Sequence, residues 1–297
     1  MIKNTILIAS ILFLGYSLFI AKFGSKARGT LYVQQEYFAK SQDLLYNSNF
    51  TGKDVFVGSS LTMEAIVESE LNELQNIGFT SLSSFDGLNL IKFKNQKPRC
   101  IYIETNYIQR DEKKKYAPFL FSPEQFYPKK IFASLREDSQ PITLIGTYVS
   151  KILVTPFVKL FIPIKKSIID TSIKNTEVKN IDDRFNKTIA NTLKDYSTNI
   201  PDKTLIQERL NKLKSYVIDF NNKGINIVFV EIPINYKLIN SPRSLLIRNE
   251  FYKTFPKEKY KYINTPDSIY FRTIDGIHLS DEEAKIYTAY FKSKRLK

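Results

Sequence analysis

INIVFVEIPI, residues 225–234, is an almost unbroken run of β-branched and aromatic residues. A run of this length without strict polar alternation reads as a strand shielded on both faces, which favours a parallel sheet. The segment before it supports that reading. Ile206, Leu210, Leu213, Val217 and Phe220 recur at spacings of four and three, the stripe of a helix, and Gly224 supplies its stop. The pattern has an earlier counterpart in KDVFVGSSLTMEAIVESELNELQNIGF, where a short apolar strand over Asp54–Val57 meets a turn at Gly58-Ser59-Ser60. After the turn, Met63, Val67, Leu71 and Leu74 predict a helix packed on the sheet. A second strand is expected over Phe79–Leu82 and a third over CIYIETN, Cys100–Asn106. Strands alternating with helices define an α/β chain with a mainly parallel sheet.

The N-terminus sets a second constraint. A short basic start precedes an apolar run of about seventeen residues, Thr5 to Ala21, close to the minimum for a membrane-spanning helix. No small-x-small cleavage pattern follows, so the expectation is an uncleaved, single-pass signal anchor over residues 1–28, with the body over residues 29–297. Lys22, Lys26 and Arg28 on the far flank, against Lys3 on the near one, slightly favour a cytoplasmic body. The body's own regularity breaks between residues 109 and 201, which reads as an insertion. There RDEKKK is a solvated charge run, four prolines from Pro118 to Pro141 punctuate the chain, and residues 142–164 are apolar but interrupted by Lys151, Pro156, Lys159 and Pro163. Two lysines and two prolines at membrane depth make a second span a poor reading. An amphipathic or membrane-proximal helical segment is expected instead, with plain packing as the alternative. The polar stretch 170–202 carries no recognisable chemistry.

Of the 297 residues, 43% are hydrophobic, which is enough for a large core, and the formal net charge of +14 suits anionic surfaces. Nucleic acid is not expected as a partner, because no arginine-rich run, zinc-finger spacing or aromatic RNA-binding motif accompanies the charge. One cysteine, Cys100, excludes an internal disulfide, and one histidine leaves too few nitrogen and sulfur ligands for a transition-metal site. No cofactor is implied.

That one histidine, His278, lies in TIDGIHLSDEEA, three residues after Asp275 and just before a Ser280/Glu283 capping-box pattern that opens a helix. In an open parallel sheet, ligands sit beyond the carboxyl ends of the strands, and this places the Gly58-Ser59-Ser60 turn and Asn106 at one edge. A serine there becomes a nucleophile if an imidazole takes its proton and a carboxylate orients that imidazole. Backbone N–H groups at the turn, with an asparagine amide, can hold an oxyanion. Each residue also has a plainer role open to it: Ser59 and Ser60 as helix caps, His278 as a turn histidine, Asn106 as a strand end. Asp86, Glu104 and Glu231 admit a carboxylate-pair reading for glycoside cleavage, although nothing in the sequence sets their separation.

In order along the chain, VFVGSSLT, SSFDG, YIETN and DGIH resemble the four blocks of the SGNH or GDSL-like serine hydrolases and acyltransferases. The resemblance runs from about Val55 to Phe291. It implies a three-layer α/β/α fold, with Ser60 as nucleophile, His278 as general base and Asp275 as the orienting acid. The oxyanion hole would comprise the Ser60 N–H, Gly87 and Asn106. The sequence departs from the family pattern at Ser59, where an aspartate is usual, and at Glu104 and Tyr107, which replace glycine and aspartate. The second block also lacks the usual asparagine before Gly87. The resemblance further implies a serine esterase or O-acyltransferase acting on a cell-envelope glycan or another acylated substrate, with the body outside the cytoplasm. If the reaction is transfer, an acyl-donating membrane partner would be implied. The alternatives are a non-catalytic carbohydrate-binding or assembly subunit, and a cytoplasm-facing hydrolase of lipids or thioesters.

Overall fold

The computed structural model describes residues 2–27, 29, 32–149, 174–266 and 271–295. Residues 150–173, which include most of the interrupted apolar run, lie outside them, as does Arg28. The chain divides into two compact units, Met1–Ser48 with Lys115–Lys174, and Asn49–Lys114 with Asn175–Lys297. The irregular stretch 109–201 is therefore shared between them.

The second unit is α/β. Its five strands are β1 (Asp54–Gly58), β2 (Leu74–Gly78), β3 (Cys100–Glu104), β4 (Asn226–Val230) and β5 (Lys261–Ile263), in the order β2-β1-β3-β4-β5 with every neighbouring pair parallel. Every residue of β1 and β3 is buried, the charged Asp54 and Glu104 at their ends included, as strands covered on both faces require. The order doubles back between β1 and β3, and this is the switch point at which a crevice opens beyond the strand ends. Register brings Val57 opposite Ile103, so the turn after β1 faces the last residue of β3.

Two predicted elements differ. The helix after the turn, α3 (Ser60–Ala65), lasts only six residues instead of reaching Leu74. Asn76 of β2 stops it: its Nδ2 donates to the Thr62 carbonyl at 3.0 Å and the Ile66 carbonyl at 3.3 Å, taking groups that a longer helix would have used. The apolar spacing therefore marked inward-facing residues of three local structures, since Leu71 and Leu74 are buried beyond the helix end. The second strand accordingly forms over Leu74–Gly78, and Phe79–Leu82 is a loop in which Ser81 takes a positive φ of 64°.

Helices α4 (Ser84–Lys94), α8 (Lys174–Thr198), α9 (Lys203–Asn222), α10 (Tyr236–Ile239), α11 (Pro242–Thr254) and α12 (Asp281–Lys294) complete this unit. The α9 stripe is buried as its spacing predicts. Phe291 of α12 packs on Phe56 of β1 and Tyr102 of β3, with ring centroids 5.2 and 5.0 Å apart, which pins the C-terminal helix to the central strands.

The first unit contains α1 (Ile2–Ala27), α2 (Val33–Asn47), α5 (Tyr116–Phe121), α6 (Pro123–Ile131) and α7 (Pro141–Val149). Within α1, the 23 residues Ile2–Gly24 form a helix long and apolar enough to cross a membrane. At about 1.5 Å per residue it would span roughly 34 Å. One side of it is engaged: Ser17 Oγ lies 2.8 Å from Ser134 Oγ, and the Tyr16 hydroxyl donates to the Ser139 carbonyl.

Candidate active site

The turn after β1 is built around close approach. A Cβ at Gly58 would lie 2.4 Å from Glu104 Oε2 and 2.0 Å from Thr62 Oγ1, so no side chain fits there. The space is taken by the carboxylate of Glu104, fully buried at the end of β3. Its Oε2 accepts the Ser59 N–H at 2.7 Å and the Thr62 hydroxyl at 2.8 Å, and its Oε1 accepts the Ser59 hydroxyl at 2.8 Å. Burial pushes the Glu104 carboxyl above the usual carboxylate range, while these donors from Ser59 and Thr62 pull it back. Ser59 in turn caps α3, its Oγ accepting the Leu61 N–H at 3.2 Å. Ser60 is the first residue of the helix, where the backbone N–H has no intrahelical acceptor.

The histidine arrives from the other end of the chain. Residues 273–279 form a closed turn, held by the Ile274 N–H on the His278 carbonyl at 2.8 Å and by a bridge between Thr273 and Leu279. Gly276 occupies a positive φ of 92° inside it, a conformation that L side chains rarely adopt. Asp275 Oδ1 accepts the backbone N–H groups of Ile277 at 2.9 Å and His278 at 2.8 Å, which leaves Oδ2 for the imidazole. His278 Nδ1 lies 2.7 Å from that oxygen, and His278 Nε2 lies 2.9 Å from Ser60 Oγ. An ionised carboxylate only accepts, so neutral His278 carries its proton on Nδ1, and Nε2 accepts the Ser60 hydroxyl proton.

The electrostatics follow from this geometry. Burial alone would raise the Asp275 carboxyl, but the His278 ring, the two N–H donors and the imidazole charge bring it down to about 2. The hydrogen bond to Asp275 raises the His278 pKa, burial opposes it, and the charges of Asp275, Glu64 and Glu104 add to the rise.

The structure therefore brings Ser60, His278 and Asp275 into one hydrogen-bonded chain. The other two sequence candidates make no hydrogen bond to that chain among the described residues. Asn106 is committed to the loop after β4, its Nδ2 donating to the Ile232 carbonyl at 2.9 Å and its Oδ1 accepting the Ile232 N–H at 2.8 Å. This leaves one Nδ2 hydrogen outside the pair. Gly87 is the fourth residue of α4, where its N–H falls within the helical ladder, and its Cα packs on Val57 of β1. It is not joined to the triad by any hydrogen bond among the described residues. Asp86 closes a capping box with Ser83 at the start of the same helix, accepting the Ser83 N–H at 2.8 Å. Ser280 Oγ accepts the Glu283 N–H at 3.4 Å at the start of α12, immediately after the histidine. Glu231 pairs with Arg248 at 2.6 Å.

Sequence reasoning missed two features. Glu104, read there as a departure from a motif, is the group that organises the Gly58-Ser59-Ser60 turn. The polar stretch before Pro201 forms α8, whose Ile189 contacts the Asp275–His278 turn, since a Cβ on Gly276 would lie 3.2 Å from its Cγ1. Among the described residues no group of three or more His, Cys, Asp or Glu is arranged to hold a metal ion. No protein-family model matches the chain, and no curated protein sequence matches it.

Proposed function

We propose that this chain is a membrane-anchored serine esterase or O-acyltransferase of the SGNH type, with a three-layer α/β/α body that works on acyl groups of a cell-envelope glycan outside the cytoplasm. The observation that carries the reading is the continuous path Ser60 Oγ, His278 Nε2, His278 Nδ1, Asp275 Oδ2, with links of 2.9 and 2.7 Å. Ser60 Oγ attacks the acyl carbonyl as its proton passes to His278 Nε2. The carbonyl electron pair moves onto oxygen, where the free N–H at the start of α3 and the remaining hydrogen of Asn106 Nδ2 are candidate donors. Collapse of the intermediate breaks the bond to the leaving oxygen, which takes the proton from Nε2. Water or a sugar hydroxyl then repeats the sequence on acyl-Ser60, and that choice alone separates hydrolysis from transfer. Asp275 stays ionised and keeps the imidazole in the tautomer the step requires.

The single apolar helix supports anchorage, and its flanking charge bias is small enough that an envelope substrate outweighs it in assigning the side. Fluorophosphonate labelling of the purified chain tests the reading. Labelling of the wild type that disappears in both Ser60→Ala and His278→Ala supports it. A wild type that resists every fluorophosphonate and forms no acyl-enzyme with activated esters sinks it, and favours a non-catalytic binding or assembly subunit.

A further inference from the structure

A pocket of about 370 Å³ is lined among others by Tyr107, Arg110, Thr192, Tyr196, Arg243 and Ile277. Ile277 is the residue next to His278 and donates its N–H to Asp275, and Tyr107 is the residue next to Asn106. Ile277 therefore gives the pocket one wall on the turn that carries Asp275 and His278, and α8 residues beyond Ile189 give it another.

Its chemistry is unusual for a surface hollow. Tyr107 and Tyr196 join through their hydroxyls at 2.7 Å, forming a rigid pair of rings. Each ring carries a guanidinium: Arg110 lies 3.8 Å from the Tyr107 centroid and Arg243 lies 4.7 Å from that of Tyr196. Burial keeps both phenols raised above their ordinary range, so they remain neutral supports rather than counter-charges. Among the described residues only Asp195 answers the two cations, through one Arg243 nitrogen at 3.0 Å. The Arg243 Nε is buried with no acceptor among the described residues, and Arg110 has no carboxylate within ion-pair distance among them. Two stacked, pre-oriented guanidinium forks with donors to spare form a receptor for a planar or tetrahedral oxyanion.

We infer that this pocket is the acceptor subsite and that it binds a phosphate or carboxylate group carried by the glycan to which, or from which, the acyl group moves. The inference rests on the acyl-transfer reading above and deepens it by naming the substrate as anionic. Bulk positive charge would attract any anion at long range, whereas stacked arginines in a pocket walled by the residue next to His278 would hold one anionic group in a fixed orientation.

The test separates the two claims by measuring binding in the full-length Ser60→Ala chain, which cannot turn over. Titrations compare glycerol phosphate oligomers and glucuronate-containing oligosaccharides with uncharged oligosaccharides of similar size. Saturable binding of an anionic series, weakened on the order of 10-fold or more by Arg110→Gln or Arg243→Gln, is the expected result. Lys223→Gln, which removes the same charge at the far end of α9, should leave it intact. Melting temperatures of the arginine variants verify that they fold, and Arg110, which is exposed, carries the test if Arg243→Gln does not. Equal affinity for anionic and neutral oligosaccharides, equal weakening by Lys223→Gln, or binding confined to phosphatidylglycerol vesicles would each overturn the inference. Fluorophosphonate labelling of the wild type, measured separately, reports on the acyl-transfer reading alone.

Discussion

Replacing Glu104 tests the architecture of the turn after β1, because one buried carboxylate gathers donors from Ser59 and Thr62 that have no other described acceptor at that position. Alanine removes both oxygens. The Ser59 N–H cannot rotate away and becomes a buried, unpaired donor at about 1–3 kcal/mol. The Ser59 and Thr62 hydroxyls can turn, so each loses about 1 kcal/mol, and the vacated space adds a cavity cost. Glu104→Ala should therefore destabilise the chain by about 3–5 kcal/mol before the cavity cost is added. Glutamine keeps one acceptor, and its oxygen can occupy the Oε2 position that serves the Ser59 N–H and the Thr62 hydroxyl. Only the Ser59 hydroxyl must reverse, from donor to acceptor. Glu104→Gln should cost about 1–2 kcal/mol, close to one charge-assisted hydrogen bond exchanged for a neutral one. Urea unfolding followed by circular dichroism gives both numbers. The rate of fluorophosphonate labelling, taken on the folded fraction, reports the geometry: a shift of the turn should slow it by about 10- to 100-fold in the alanine variant. The pH profile adds a readout that packing would not move, because loss of a carboxylate that raises His278 shifts the limb to lower pH. An alanine variant within about 0.5 kcal/mol of wild type, the range of an ordinary surface substitution, would refute the reasoning.

Three further outcomes follow from the same geometry. Labelling should rise with pH through an apparent pKa above about 6.5, because only neutral His278 accepts the Ser60 proton, and Asp275→Asn should move that limb downward. A limb at or below the ordinary histidine value in the wild type would contradict the Asp275 contact. The pair's stabilisation by a raised histidine is present below about pH 6.5 and fades as pH rises through the higher folded value, while that from Asp275 is present above about pH 4 and fades as pH falls towards 2. Gly87→Ala places a Cβ 3.0 Å from Val57 Cβ and 3.1 Å from its Cγ1, so overpacking of about 1–3 kcal/mol should exceed the helix-propensity gain of about 1 kcal/mol. A rise in melting temperature would show that α4 does not bear on β1 as closely as this.

The sequence alone determined the elements whose signal is local. Short apolar runs rich in β-branched and aromatic residues and bounded by turn signals fit shielded strands, so β1, β3 and β4 were legible, as was the α9 stripe with its glycine stop. A chain with one imidazole and an aspartate three residues before it also narrows the choice of general base to a single position. The helix after Ser60 was misread because spacing reports which residues face inward and not which backbone carries them, and the group that ends the helix, Asn76, belongs to the next strand. Only the tertiary structure set His278 Nε2 at 2.9 Å from a serine 218 positions earlier. The same holds for Glu104, whose role arises from parallel register placing the end of β3 against the turn after β1. It holds again for the arginine pair stacked on Tyr107 and Tyr196, which meet across 89 positions. Hydrophobic periodicity is written residue by residue along the chain, whereas hydrogen-bond distance between remote side chains depends on how strands pair and helices dock, and no local pattern encodes that.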